Sequence, residues 1–300
     1  MNEYDAIVVG AGPAGLTSAI YLARANKKTL VLESKIYGGQ IVNASNIQNY
    51  PAIQSISGVE FANNLYNQVV NLGVEVKFET VLKVDENKTV TTKDNVYKAK
   101  AIILATGVDN KKLGIDNESL FVGKGVSYCA TCDGNFFKKK TVAVVGGGNT
   151  ALEDALYLSN LCEKVYLIHR RDEFRGEQSY KEELDKKDNV EYILNSTVKS
   201  LKGDTVLTGL DIIDNNGKIK SINVDGLFIA VGQSPKNEMF KNVVDLDEYG
   251  YFKNDLAPRT KIKGIYVAGD AVAKELRQLT TAVSDGSYAA TIAIMEMKGE

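Results

Sequence analysis

The chain has 300 residues, a hydrophobic share of 44% and a formal net charge of −2. That length suggests two domains of ordinary size, with enough apolar material for sizeable cores. The near-neutral charge argues against a nucleic-acid electrostatic footprint, and the longest apolar runs, such as Ala101 to Ala105 and Leu227 to Val231, are far too short to span a bilayer.

In chain order, Met1 to Asp5 has no basic region or cleavage site, so no signal peptide is expected. Residues 5 to 10 read as a buried parallel strand. Gly10-Ala11-Gly12-Pro13-Ala14-Gly15 follows, then an amphipathic helix to about Arg24 and a second strand from Thr29 to Glu33. Ser57 to Leu72 reads as a helix, with Ser57 and Glu60 spaced as a capping box. Val74 to Phe78, Val81 to Val84, Thr89 to Thr92 and Val96 to Ala99 read as a small antiparallel excursion. Ala101 to Ala105 closes the unit at Thr106-Gly107. The pattern then restarts: strand Thr141 to Val145, turn Gly146 to Ala151, helix Leu152 to Leu161, strand Val165 to Ile168, short segments from Val190 to Val224, and a closing strand Gly226 to Val231. A strand from Gly264 to Asp270 and a helix from about Gln278 to Met297 are left over, and they return to the first unit. The expected fold is α/β: two Rossmann-like domains, each with a parallel sheet and a small antiparallel excursion, the second inserted into the first. The domains are 1–113 with 243–300, and 114–242.

A glycine turn between strand and helix lets backbone approach a pyrophosphate at the helix N-terminus. Glu33 lies 23 residues after Gly10, where a carboxylate accepts from ribose hydroxyls. The second turn, Gly146-x-Gly148-x-x-Ala151, has the same frame, but the same count reaches His169. Arg170 and Arg171 follow, with Arg175 beyond. Arginines there pair with a 2′-phosphate, which selects NADPH over NADH. The alternative is a solvated charged loop, the usual state of a charge run, and the position favours the phosphate reading.

Three cysteines are too few for a disulfide framework, so a cytoplasmic chain is expected. There a close pair, Cys129 and Cys132, points to redox or metal chemistry. A structural zinc needs four ligands, and only Cys162 and the single histidine remain, so no metal is expected. Asp133 is placed to move a proton to or from a thiolate. Cys162 ends an apolar helix and reads as a small buried hydrophobe. A nicotinamide does not efficiently reduce a disulfide without a flavin between them, so two nucleotide sites and one dithiol imply FAD at the first turn and NADPH at the second.

The stretches Gly10 to Gly15, Gly38-Gly39-Gln40, Ala105-Thr106-Gly107, Cys129 to Gly134, Gly146 to Ala151, His169 to Arg175, and Gly269-Asp270 with Arg277-Gln278 together resemble the bacterial low-molecular-weight thioredoxin reductases. The resemblance spans nearly the whole chain. It implies an FAD-containing homodimer that reduces thioredoxin, with domains that rotate between half-reactions. Cys132 resembles the flavin-facing thiol, Cys129 the one that attacks thioredoxin, and Asp133 the acid/base. Glu33, Gln40, Asn49, Asp270 and Gln278 resemble FAD contacts; Asn149, Thr150, His169, Arg170, Arg171 and Arg175 resemble NADPH contacts. Ala271 to Leu276 and Ser284 to Ser287 depart from the family pattern, which leaves the local flavin environment open. Competing functions are the same chemistry on another redoxin or a peroxidase, a ferredoxin-fed reductase, a flavin dithiol oxidase and a flavin-binding redox sensor. Arg170 and Arg171 count against the oxidase, which has no use for a 2′-phosphate clamp.

Overall fold

The computed structural model of the chain describes residues 2–44 and 46–299. They divide into two compact units. The first runs through Val42, from Tyr50 to Asp109 and from Ser234 onward; the second comprises 43–49 and Asn110–Gln233.

In the first unit, strand Asn2–Val9 lies parallel between Thr29–Leu32 and Val96–Leu104, with Ala6 in register with Thr29 and Ala101. Glu75–Lys77 extends this sheet beyond Thr29–Leu32, and Ile265–Val267 pairs with Val96–Leu104, both in parallel. The leftover tail therefore adds its strand to the first sheet. Thr89–Thr92 and Val81–Val84 hang antiparallel from the N-terminal half of Val96–Leu104. That long strand merges the two segments expected at Val96 to Ala99 and Ala101 to Ala105.

The segment at Val74 to Phe78 does not belong to the antiparallel excursion. Helix Gly58–Asn71 precedes it, and a helical crossover returns a chain parallel to the strand it left. The second unit repeats this correction. A helix the sequence pattern did not reveal, Gln178–Leu184, makes Val190–Ile193 pair parallel with Lys164–Ile168. Only Ser196–Lys202, Gly209–Asp214 and Ile219–Asn223 form its antiparallel excursion. The main sheet of this unit runs Val190–Ile193, Lys164–Ile168, Thr141–Val145, Gly226–Ile229 and Val126–Ser127, all parallel.

Both main sheets are covered on both faces, as parallel sheets require. In the first, Ala6, Val8, Ala101 and Ile103 pack with helices Pro13–Arg24 and Leu279–Lys298. The alternate residues Ile7, Val9, Ile102 and Leu104 pack against Val81, Val90, Phe240, Val244 and Phe252. The two helices meet closely, because a Cβ on Gly286 would collide with the Ala14 carbonyl, and Ser18 Oγ lies 2.9 Å from both the Ala14 and Gly286 carbonyls. In the second unit, Val142 and Val144 face Ala151, Leu152, Ala155 and Leu158, while Ala143 and Val145 face Leu210, Ile212 and Ile222.

By their contacts the units divide at 109–110 and 233–234, besides the short segment 43–49. Phe240, Val243 and Val244 bury in the first unit's core, which carries 234–242 with it. Among the described residues no helix is long and apolar enough to cross a membrane.

Candidate functional site

The first glycine turn is shaped by close backbone approach. Gly10 has φ +106°, and a Cβ there would overlap the Ala105 carbonyl oxygen. Gly12 is the N-cap of helix Pro13–Arg24, and no side chain caps that end. Its first-turn amides are therefore open to an anion, and Pro13, which lacks an N–H, suits the first helical position. Gly39 passes close over Gly12: a Cβ on it would lie 3.2 Å from Gly12 Cα. Glu33 Oε2 accepts from the Ala11 amide at 2.8 Å and its Oε1 from the Lys35 amide at 2.9 Å, which locks the carboxylate beside the turn.

Gly269 sits beside the same helix start, where a Cβ would lie 2.8 Å from Ala14 Cβ. Burial raises the proton affinity of Asp270, against the lowering charges of Lys274 and Arg277. Its Oδ1 is buried without a hydrogen bond, 3.5 Å from Lys274 Nζ, which instead bonds Asp285 Oδ2 at 2.7 Å. A buried orphan acceptor, an uncapped helix end and glycines that keep side chains out fit a bound dinucleotide, with Asp270 taking a ligand hydroxyl.

Other residues assigned to FAD have structural partners. Arg277 Nε donates to the Asp270 carbonyl at 3.2 Å, and its guanidinium stacks over Tyr251 at 4.3 Å. Gln278 caps helix Leu279–Lys298 in a capping box with Thr281. Thr106 Oγ1 donates to Asn237 Oδ1 at 2.8 Å, and Gly107 has φ +64° with open space where a Cβ would be. Asn237, 1% exposed, anchors Thr106 and also donates to the Gly250 carbonyl. Nothing local in its sequence marks it. Gln40 Nε2 lies 3.5 Å from Asp109 Oδ1. Asn49 is exposed and lies in the segment that clusters with the second unit.

The second turn repeats the device. Gly148 caps helix Asn149–Ser159 with no side-chain cap, and nothing lies within 4 Å of where its Cβ would be. A Cβ on Gly146 would overlap the Ala230 carbonyl oxygen, as one on Gly10 would that of Ala105. Asn149 is tied to Glu177 by two bonds, 2.9 and 2.8 Å, and Thr150 is exposed. His169 is buried. It is 5% exposed, its ring lies where a Gly147 Cβ would fall, and Phe174 packs 5.5 Å away. Burial and then the charges of Arg175, Arg171 and Arg170 lower its pKa, and its Nε2 has no partner. Arg170, Arg171 and Arg175 are exposed, and no described residue bonds or pairs with their guanidinium groups. Three unpaired cations beside an open helix N-terminus fit a phosphorylated ribose.

Cys129 and Cys132 form a disulfide, with Cα atoms 5.3 Å apart. Cys129 is the N-cap of the short helix Ala130–Asp133, and its Sγ accepts from the Cys132 amide at 3.2 Å. Asp133 is largely buried; its Oδ2 accepts from Ser127 Oγ at 2.6 Å while its Oδ1 has no partner. Burial raises its pKa, and the Ser127 bond opposes this. A carboxyl that holds its proton readily beside a disulfide can serve as an acid. The dithiol helix packs against the helix of the second turn: Ala130 shares a core with Ala151, Leu152 and Ala155, and a Cβ on Gly134 would meet Tyr157 and Leu158. Cys162 is buried in that core, its thiol pushed up to about 11 mainly by burial, an inert hydrophobe as expected. Ser127 and Asn237 are site residues that the sequence pattern missed. Among the described residues no cluster of three or more His, Cys, Asp or Glu could hold a metal ion.

Residues 4–286 match the family model described as pyridine nucleotide-disulphide oxidoreductase. The thioredoxin reductase of Listeria monocytogenes is 42% identical over 95% of this chain and 91% of its own. That of Bacillus subtilis is 39% identical over 96% of this chain and 92% of its own. Among solved structures, thioredoxin reductase from Streptococcus pyogenes superposes with a TM-score of 0.95 at 37% identity, covering 99% of each chain. The chain belongs to the pyridine nucleotide-disulphide oxidoreductase family, and its similarity runs to that family's thioredoxin reductases.

Proposed function

We propose that the chain is an NADPH-dependent thioredoxin-disulfide reductase that works through FAD and the Cys129/Cys132 pair. The observation that carries this reading is the Cys129–Cys132 disulfide, backed by the largely buried Asp133, in the unit that also holds three unpaired arginines at a nucleotide turn. FAD, when bound, supplies an acceptor for the nicotinamide hydride and a donor of two electrons to a disulfide.

The remaining roles belong to the chain. Gly10, Gly12, Pro13, Ala14 and Gly15 clear space and present amides for the FAD pyrophosphate, Glu33 faces its ribose, and Asp270 accepts from one of its hydroxyls. Gly146 and Gly148 do the same for NADPH, and Arg170, Arg171 and Arg175 hold the 2′-phosphate. His169 supports that turn from beneath. Cys132 takes electrons, Cys129 attacks thioredoxin, and Asp133 moves the proton. The dithiol and NADPH residues lie in one unit and most FAD residues in the other, so this reading requires the units to change orientation between half-reactions. A homodimer working in the cytoplasm completes the reading, and sedimentation tests its assembly.

Replacement of Cys132 by Ser is expected to abolish thioredoxin reduction, while NADPH still bleaches the flavin under anaerobic conditions. Thioredoxin turnover in that variant would sink the assignment, and loss of flavin bleaching would reverse the proposed order.

A further inference from the structure

Ser127 ends strand Val126–Ser127, two residues before the disulfide, and is 5% exposed. Its hydroxyl has three polar neighbours. The Cys129 amide donates to Oγ at 3.0 Å, Asp133 Oδ2 lies at 2.6 Å, and the Cys129 carbonyl at 3.3 Å. One hydroxyl carries one proton to donate, and the short contact to the carboxylate claims it. With Oδ2 held as an acceptor, only Oδ1 is left to carry a proton, and Oδ1 is the oxygen with no partner.

We propose that Ser127 is a positioning residue for dithiol exchange: it ties the Cys129 backbone to Asp133 and confines the transferable proton to Oδ1. The inference rests on the reductase reading of the dithiol. In the exchange, the Cys129 thiolate forms a bond to one sulfur of a partner disulfide, and that disulfide breaks. The expelled partner thiolate takes the proton from Asp133 Oδ1. The resulting carboxylate takes the proton of the Cys132 thiol. Cys132 then attacks Cys129, which restores the intramolecular disulfide and expels the second partner sulfur as a thiolate. The dithiol loses two electrons and the partner disulfide gains them. Every proton leaves or enters Asp133 through the oxygen that Ser127 does not occupy.

No charged side chain contributes to the perturbation of Asp133; burial and Ser127 alone act on it. The titratable groups of the neighbouring elements are Glu153, Asp154 and Tyr157 on helix Asn149–Ser159, Tyr128 beside Ser127, and the two cysteines once reduced. The Ser127 bond favours the carboxylate, so its removal moves the Asp133 titration to higher pH.

The test uses the flavin-loaded enzyme, NADPH and oxidised thioredoxin, with rates per bound flavin followed across pH. Ser127→Ala is expected to slow exchange about tenfold and to move the pH limb attributed to Asp133 upward; Ser127→Thr is expected to restore both. Ser127→Cys, similar in size but a weak donor, carries the same expectation as the alanine variant if that variant folds poorly. An unmoved limb in Ser127→Ala or Ser127→Cys, or a threonine variant as slow as alanine, overturns the proposal. Failure of the wild-type enzyme to reduce thioredoxin would instead sink the reductase reading itself.

Discussion

The two glycine turns use one backbone device and opposite charges. Gly12 and Gly148 both cap their helices in extended conformation, with ψ of −178°, and neither helix has a side-chain cap. Gly10 and Gly146 both pass against a carbonyl of the neighbouring closing strand, from Ala105 and Ala230. At the same distance from the first glycine the turns diverge. Glu33 is drawn inward onto the Ala11 and Lys35 amides, while Arg170, Arg171 and Arg175 remain exposed and unpaired. The backbone thus leaves an open helix N-terminus in both units, suited to a pyrophosphate, and the proposed choice of nucleotide rests on the residues at the next strand end.

The largest expected effect separates two glycines that look alike in sequence. Gly10→Ala combines φ +106° with an overlap on Ala105, a strain on the order of 2 kcal/mol or more, and is expected to lose flavin and several degrees of Tm. Gly148→Ala has φ −100° and open space, so its Tm is expected to stay near wild type while its new methyl weakens NADPH binding. Equal Tm losses in the two would break the comparison. Thermal melting with flavin absorbance measures both.

A smaller effect sharpens the charge difference. Arg170→Ala with Arg171→Ala is expected to raise KM for NADPH about tenfold per lost contact and leave KM for NADH unchanged, since bonds to charged groups are worth roughly 1.5–3 kcal/mol. An unchanged preference in steady-state kinetics would sink the 2′-phosphate assignment.

The smallest effect concerns a group that only the second helix carries. Asp154 on Asn149–Ser159 has its pKa pushed up to about 7, first by burial and then by the charge of Glu153, and its carboxylate bonds no described residue. A folded-state pKa above the unfolded value means that stability is full below about pH 4 and falls as pH rises toward 7. Asp154→Asn is therefore expected to be more stable than wild type at pH 8, on the order of 2 kcal/mol, and nearly equal at pH 4. Denaturant titrations at the two pH values check this; equal stability at pH 8 would refute it.

Much of the site was readable because its devices are local. A glycine turn between strand and helix, a carboxylate 23 residues on or an arginine cluster beginning 24 residues on, and a Cys-x-x-Cys pair are each contained in a short stretch, and the structure keeps each in one unit. The capping box at Ser57 was equally local: Ser57 Oγ accepts from the Glu60 amide at 3.1 Å. The sense of strands Glu75–Lys77 and Val190–Ile193 was not readable from alternation, because a short alternating strand looks the same in either direction. The crossover helix that precedes it decides.

The sequence by itself determined two Rossmann-like units, their glycine turns and the dithiol, because close backbone approach and local charge need particular residues at particular spacings. Only the tertiary structure decided what surrounds them. Burial set the His169 ring against Gly147 and raised the proton affinity of Asp133 and Asp154. Chain segments far apart in sequence brought Asn237 to Thr106. A bond of 2.6 Å made Ser127 a partner of the acid, and that distance exists only once the strand end and the dithiol helix pack together.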